Sequence, residues 1–219
     1  MPLIAAAFLA LLLNSEPKPV KYIALAASVL SLLLAIAVNF NTVKMQSLTW
    51  FSLAGYAFPI TTYTMPLNML LLFIVAVMTP LIFTYSIGFM DAPSEQGRYY
   101  FEMCIFAASM MLFAISGNFI TMLIGWELLG VTSYLLIGFW YRKEKAPTAA
   151  RKAITTMLIG DALMLIAMLA IWNSLHTFDF IAVIRATPTA SLQIAALLIL
   201  VAAFTKSAQF PFHEWLLCS

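Results

Sequence analysis

The sequence predicts an all-α, polytopic transmembrane helix bundle of about seven spans, with the seventh helix broken at Pro211. Two observations carry that reading. The 219 residues are 63% hydrophobic and 9% charged, against roughly 45–50% apolar and about 25% charged in soluble domains. The apolar residues also fall in runs near the about 20 residues that a membrane-crossing helix needs. A water-soluble globule is excluded, and the length leaves no room for an appended soluble enzyme. The net charge of +2 is small, and the basic residues gather in a few loops rather than in a stripe, which speaks against nucleic acid as a partner. Cys104 and Cys218 form no CxxC pair and no metal-ligand spacing, so neither a disulfide framework nor a metal or iron–sulfur site is expected.

The first apolar run, about 2–13, has no basic residue before it and Lys18 and Lys21 after it, the reverse of a signal peptide. It reads as a short first span that must tilt, or extend at its front, to cross. The others follow at about 22–40, 65–87, 99–116, 118–140, 149–172 and 190–210. Residues 41–64 are aromatic and Thr-rich with alternating stretches such as Leu48-Thr49-Trp50-Phe51, which predicts a short hairpin at the membrane surface. Residues 174–185 read as an interfacial amphipathic segment. The chain is thereby divided into residues 1–97, holding three spans and the hairpin, and residues 98–219, holding spans four to seven.

Cytoplasmic loops collect Lys and Arg. With the N-terminus outside, the inner loops hold Lys18, Lys21, Arg98, Arg142, Lys143, Lys145, Arg151 and Lys152, and the outer loops hold Lys44 and Arg185. Eight against two places the C-terminus on the cytoplasmic or matrix side of a plasma membrane or an organelle inner membrane.

Three ionisable residues fall inside spans: Glu127 in the fifth, Asp161 in the sixth and Lys206 in the seventh. Each costs roughly 2.5–3.5 kcal/mol near the bilayer centre, so the three together cost about 8–10 kcal/mol unless they pair or meet water. Glu127 and Lys206 have opposite sign. A pair between them in a bundle interior relieves much of the cost and ties their protonation states together. A desolvated lysine holds its proton less tightly and a neighbouring carboxylate restores the hold, so movement of the carboxylate releases a proton. The plainer alternative is a pair that only holds two helices together, and Asp161 can equally be a protonated carboxyl bonded to a neighbouring helix. Glu102 follows Arg98 by one turn, the spacing of a solvated interfacial pair. His176 and His213 are accessory relay candidates whose alternative is a structural place at an interface. Pro211 lies in an apolar stretch five residues after Lys206 and should break the helix there. Such breaks are tolerated mainly where protein or a wet cavity satisfies the freed backbone groups. Gly125, Gly130 and Gly138 read as ordinary close-packing positions.

These residues also carry a resemblance. The run from Gly117-Asn118-Phe119 through Gly125-Trp126-Glu127-Leu128 to Ser133-Tyr134-Leu135-Leu136-Ile137-Gly138-Phe139-Trp140-Tyr141 resembles the fifth helix of the antiporter-like subunits of respiratory complex I. Ala150-Arg151-Lys152-Ala153, Gly160-Asp161 and Thr205-Lys206-Ser207-Ala208-Gln209-Phe210-Pro211-Phe212-His213-Glu214-Trp215-Leu216 follow in the family's order. Tyr85-Ser86-Ile87-Gly88-Phe89-Met90 is similar to the segment after the third helix. The match is nearest to subunit L, or chain 5, and to the large subunits of Mrp-type antiporters, and it covers nearly the whole chain.

The resemblance implies a proton-translocating subunit of an NADH-quinone oxidoreductase-type complex, with Glu127 as the fifth-helix glutamate, Lys206 as the lysine of the broken helix and Asp161 as the acidic residue that adjusts the pair. The chain itself then binds no cofactor and performs no redox chemistry; quinone and NADH, or another electron donor, belong to the assembled complex. Its partners are the other membrane subunits and the lipid bilayer. Family members have about fourteen core spans in two inverted repeats, whereas this sequence ends at Ser219, and after Trp215-Leu216 it runs Leu217-Cys218-Ser219 where the family has Pro-Asp-Ala. That departure implies a second chain supplying the C-terminal half, or a truncated product. An Mrp-type cation/proton antiporter, an inorganic-carbon uptake subunit and a non-conducting structural membrane fragment are the alternative functions.

Overall fold

A computed structural model describes residues 2–13, 17–39, 45–53, 56–90 and 95–218. Seven helices follow the seven apolar runs: α1 (Pro2–Leu12), α2 (Pro17–Asn39), α3 (Pro66–Phe89), α4 (Gln96–Ala114), α5 (Phe119–Ile137), α6 (Lys145–Leu175) and α8 (Ala190–Lys206). Between them lie the strands β1 (Met45–Leu53) and β2 (Tyr56–Tyr63) and the short helix α7 (Phe180–Arg185), and α9 (Glu214–Cys218) closes the order. α2, α3, α5 and α6 are long and apolar enough to cross a membrane. α1 and α8 are apolar but shorter, at 11 and 17 residues. α4 is long enough but carries Arg98 and Glu102 in its first two turns. The fold is the multi-pass membrane bundle the sequence predicts.

Burial is inverted relative to a soluble protein. Large apolar side chains such as Leu12, Leu67, Leu81 and Leu169 point outward, at 60–78% exposure, while small residues occupy the contacts. Lipid tails are as apolar as leucine, so helices gain little by hiding leucines from them and associate through close packing of small residues instead.

The chain divides into two compact units, one of Met1–Gly117 with Thr121–Thr132 and one of Asn118–Ile120 with Ser133–Ser219. In the first, Leu3, Ala6, Ala7 and Ala10 form one stripe of α1 at helical spacing and pack with Val20, Ala24, Phe83, Tyr100, Cys104 and Ala107. The predicted hairpin is present as an antiparallel β1–β2 pair, in register from Met45 opposite Tyr63 and bulged at Trp50. Asn41, Lys44 and the rest of its leading segment lie outside the described residues. The outer edge of β2 is docked on the α4–α5 turn. Tyr63 N donates to Ile115 O (2.8 Å), Gly117 N to Thr61 O (2.8 Å), and Thr61 N to Thr121 Oγ1 (2.8 Å). Backbone groups that would be orphaned in an apolar medium are thus satisfied within the protein.

In the second unit α6 lies along α8, burying Met157, Gly160, Asp161, Met164, Ala167 and Ile171 on one side of α6 and Ala195, Ala202 and Thr205 on α8. His176 caps α6 in the left-handed region at φ 51°, its N–H donating to Trp172 O. The 174–185 segment then forms α7, whose N-cap Asp179 accepts from Ile181 N (2.8 Å) and Ala182 N (3.1 Å). Phe119 N at the start of α5 donates to Phe178 O (3.0 Å), which pins this segment.

Candidate functional site: a lysine at the end of a broken helix

Lys206 is the last residue of α8. Its Nζ lies 3.8 Å from Asp161 Oδ1 on α6, with the two side chains 16% and 10% exposed. Two of the three charges singled out in the sequence are therefore in contact, in a place largely sealed from the surroundings.

The approach of the helices that makes this contact is set by Gly160. A Cβ built there would overlap Thr205 Oγ1 and come within 3.2 Å of Ala202 O, so only glycine lets α6 and α8 come this close. The next residue on each helix is Asp161 or Lys206, which brings the carboxylate and the ammonium to the point of nearest approach.

The helix break supplies the second part of the site. α8 stops at Lys206, with Ser207 as its C-cap and Ala208 in the left-handed region at φ 51°. The sequence places the break at Pro211, whereas the helical hydrogen bonding ends four residues earlier. The reason is steric: a proline in a helix clashes with the carbonyl four residues before it, here that of Ser207, and disfavours helical backbone at the residue preceding it. The interruption is therefore the whole segment 207–213, with Pro211 inside it, before α9 resumes at Glu214.

A helix end leaves carbonyls without partners, and here they are met inside the protein. Ser207 N and Ser207 Oγ both donate to Ala203 O (3.0 and 2.7 Å), and Gln209 N donates to Phe204 O (3.0 Å). The indole Nε1 of Trp215 donates to Thr205 O (3.0 Å). Trp215 is buried against Ala153 and Met157 of α6. Its N–H thus joins α9 to the carbonyl immediately before Lys206. At the far end of α9's contact with α6, Lys152 Nζ meets Glu214 Oε1 at 2.9 Å. That hydrogen bond and charge hold the Glu214 carboxyl below the usual carboxylate range.

Glu127 is carried by α5 on the part of that helix belonging to the first unit, half-buried and next to the buried Trp126. A Cβ on Gly125 would sit 2.9 Å from the Phe113 backbone nitrogen, so glycine at this position allows α4 and α5 to touch two residues before the glutamate. His213 is exposed and stacks on the Phe210 ring at 5.9 Å. His176 serves as the α6 cap and lies edge-on to Trp172 at 5.8 Å.

The Arg98–Glu102 pair differs from the sequence expectation. Arg98 Nε and Glu102 Oε1 are 2.7 Å apart, with the Arg98 side chain 39% exposed and that of Glu102 only 3% exposed, so the pair meets solvent on the arginine side alone. α4 packs against α1, α2 and α3 together, and a residue one turn into it is already inside the bundle. Glu102 Oε2 is buried without a hydrogen-bond partner. Sequence spacing showed the i,i+4 pair but carried no sign of this burial. The indole of Trp215 was likewise missed; the signal was its place nine residues after Lys206, beyond a proline.

Residues 116–219 match a family model described as NADH:quinone oxidoreductase/Mrp antiporter, TM. The fold and this match define a transmembrane domain of the antiporter-like kind. The chain is 34% identical over 179 residues to NADH-quinone oxidoreductase subunit L of Mycobacterium tuberculosis, covering 80% of this chain and 28% of that protein. It is 36% identical over 172 residues to NADH-ubiquinone oxidoreductase chain 5 of Candida albicans, covering 77% and 31%. It is 31% identical over 224 residues to F(420)H(2) dehydrogenase subunit L of Methanosarcina mazei, covering 90% and 33%. Its fold is that of a chain in the Mrp complex from Dietzia sp. DQ12-45-1b, with a TM-score of 0.86 at 24% identity, over 98% of this chain and 24% of that one. Residues 116–219 thus match the transmembrane domain shared by NADH:quinone oxidoreductase and Mrp antiporter subunits, and the chain is similar to the N-terminal part of subunit L and chain 5 proteins. It spans a third or less of the length of these curated relatives.

Proposed function

We propose that this chain is part of a proton-translocating membrane subunit of an NADH-quinone oxidoreductase-type complex, in which Lys206, Asp161 and Glu127 relay protons. The observation that carries the reading is the Lys206–Asp161 contact at 3.8 Å beside a broken helix. A contact that long is electrostatic rather than a tight hydrogen bond, so small movements of either helix change it and the proton occupancy of the pair with it. Glu127 is the third group of the relay, reading out or resetting the charge on Lys206. The N-terminus faces outward and the C-terminus faces the cytoplasm or matrix. The electron donor and the quinone act elsewhere in the assembled complex, and this chain binds neither. Its partners are the neighbouring membrane subunits and a chain or segment equivalent to the rest of subunit L.

The test is Lys206→Ala in the assembled complex. Redox activity should persist while coupled proton movement is lost, and persistent pumping overturns the relay. The family description spans two kinds of complex, so the competing reading is an Mrp-type antiporter, in which proton movement follows a cation gradient instead of quinone reduction. A scaffold that no longer conducts is marked by unchanged coupling in Glu127→Gln.

A further inference from the structure

We infer that the groove between the first turns of α6 and α9 is a binding site for the phosphate headgroup of an anionic phospholipid. The groove is lined by Arg151, Lys152, Thr148, Thr155, Thr156 and Trp215, with Glu214 on its rim. Its depth in the membrane follows from length. α6 has 31 residues, about 46 Å at a rise of 1.5 Å per residue, against a hydrocarbon core of about 30 Å. About ten of its residues must therefore stand outside the hydrocarbon. The side chains say which: Leu158, Ile159, Leu165, Ile166 and Leu169 are large, apolar and exposed, whereas one turn earlier the same helix shows exposed Arg151, Lys152 and Thr155. The change from apolar to basic falls between Thr156 and Leu158, which puts the groove at headgroup depth and the acyl chains beside the leucine face.

The charge fits a phosphate. Thr148, Thr155 and Thr156 already donate their hydroxyl protons to the carbonyls of Glu144, Arg151 and Lys152, so Arg151 and Lys152 are the lining donors for an anion. Lys152 is shared with Glu214 at 2.9 Å, so the carboxylate competes with the headgroup for it. Arg142, Lys143 and Lys145 are exposed in the neighbouring connection, with Lys143 over the Trp140 ring at 5.3 Å and Arg142 over the Tyr141 ring at 5.8 Å. Basic residues interleaved with exposed Trp and Tyr at one end of a spanning helix are suited to an anionic leaflet surface.

The competition gives a test that generic surface attraction does not pass. The full chain, with the subunits that accompany it, is reconstituted in phosphatidylcholine vesicles doped with brominated phosphatidylglycerol or with brominated phosphatidylcholine, and tryptophan quenching is compared. Wild type should be quenched more by the phosphatidylglycerol. Arg151→Gln should lower that preference about fivefold, the value of one basic residue near the surface, while Glu214→Gln should raise it by freeing Lys152. Arg142→Gln, outside the groove, removes general surface charge without a contact to the bound headgroup and should lower it less than Arg151→Gln does. Equal quenching by both lipids in wild type, or equal loss in Arg142→Gln and Arg151→Gln, overturns the site. Abolition of the preference by millimolar inorganic phosphate at constant ionic strength shows a free-anion site instead, and overturns the lipid assignment.

Discussion

At Lys206 a side-chain charge sits at the end of a helix whose last carbonyls are partnered within the protein, and the residues around it can be assigned separate tasks. Gly160 brings the helices together, Asp161 faces the ammonium, and Trp215 closes the carbonyl of Thr205. Gly160→Ala adds a methyl group that overlaps the Thr205 hydroxyl, and overpacking of this kind typically costs about 1–3 kcal/mol. Thermal unfolding in detergent should show that loss, and Gly160→Ala with Thr205→Ala should recover part of it because the clashing atom is gone. A double variant no more stable than Gly160→Ala alone removes the close approach as the explanation. Trp215→Phe keeps the ring on Ala153 and Met157 but leaves a buried carbonyl without its donor, a loss of about 1–3 kcal/mol. The same unfolding measurement checks it, and an unchanged midpoint means that water or another donor serves Thr205 O.

At the scale of elements, α9 is tied to α6 by the Lys152–Glu214 pair and to α8 by the Trp215 indole. The folded Glu214 carboxyl titrates below its free value, with the hydrogen bond from Lys152 as the first cause and the ammonium's charge as the second. The sign follows: a depressed carboxylate contributes its tether above the free value, near pH 4.3, and loses it as pH falls through the lower, folded value. Protection of the amides over Glu214–Cys218, taken relative to the intrinsic exchange rate at each pH, should therefore be high at neutral pH and fall only below about pH 4, and Glu214→Gln should show the low protection already at pH 7. Identical exchange in both proteins at pH 7 leaves Trp215 as the only tether that matters. This scale also shows what was legible in the sequence. Helix positions were, because length and apolarity suffice to mark a span whatever its partner, and the hairpin was, because its alternation has period two. The extent of the break around Pro211 was not, because it depends on where the proline ring meets an earlier carbonyl. The Asp161–Lys206 contact was hidden too. The two residues are 45 positions apart, and the depth at which α6 meets α8, set by Gly160, brings them together. The burial of Glu102 within the Arg98–Glu102 pair was hidden for a similar reason, since spacing along one helix does not report what packs over it.

For the whole molecule the question with the largest consequence is direction, because a relay moves charge usefully only if its two ends open to opposite sides. The basic residues divide eight to two between the two sets of loops, and in short loops such a bias sets orientation. Of these, Arg142, Lys143, Lys145, Arg151 and Lys152 are exposed at one end of α6, and Arg185 is exposed beyond its other end, in α7. A helix of 31 residues separates them by more than the hydrocarbon thickness, so the two groups lie on opposite faces. Single cysteines in place of Lys143 and of Arg185, in a background with Cys104 and Cys218 replaced by Ala, turn this into a measurement with a membrane-impermeant maleimide. In intact cells, or in mitochondria with the outer membrane removed, position 185 should label and position 143 should not; in inverted vesicles the pattern should reverse. The opposite pattern would invert the bundle and make the Lys206 end of α8 open to the outside, so that any proton passing through the pair would leave where it is here expected to enter. Labelling of both positions from one side would mean that α6 does not cross the membrane, which would remove the low-dielectric setting on which the Lys206–Asp161 pair depends.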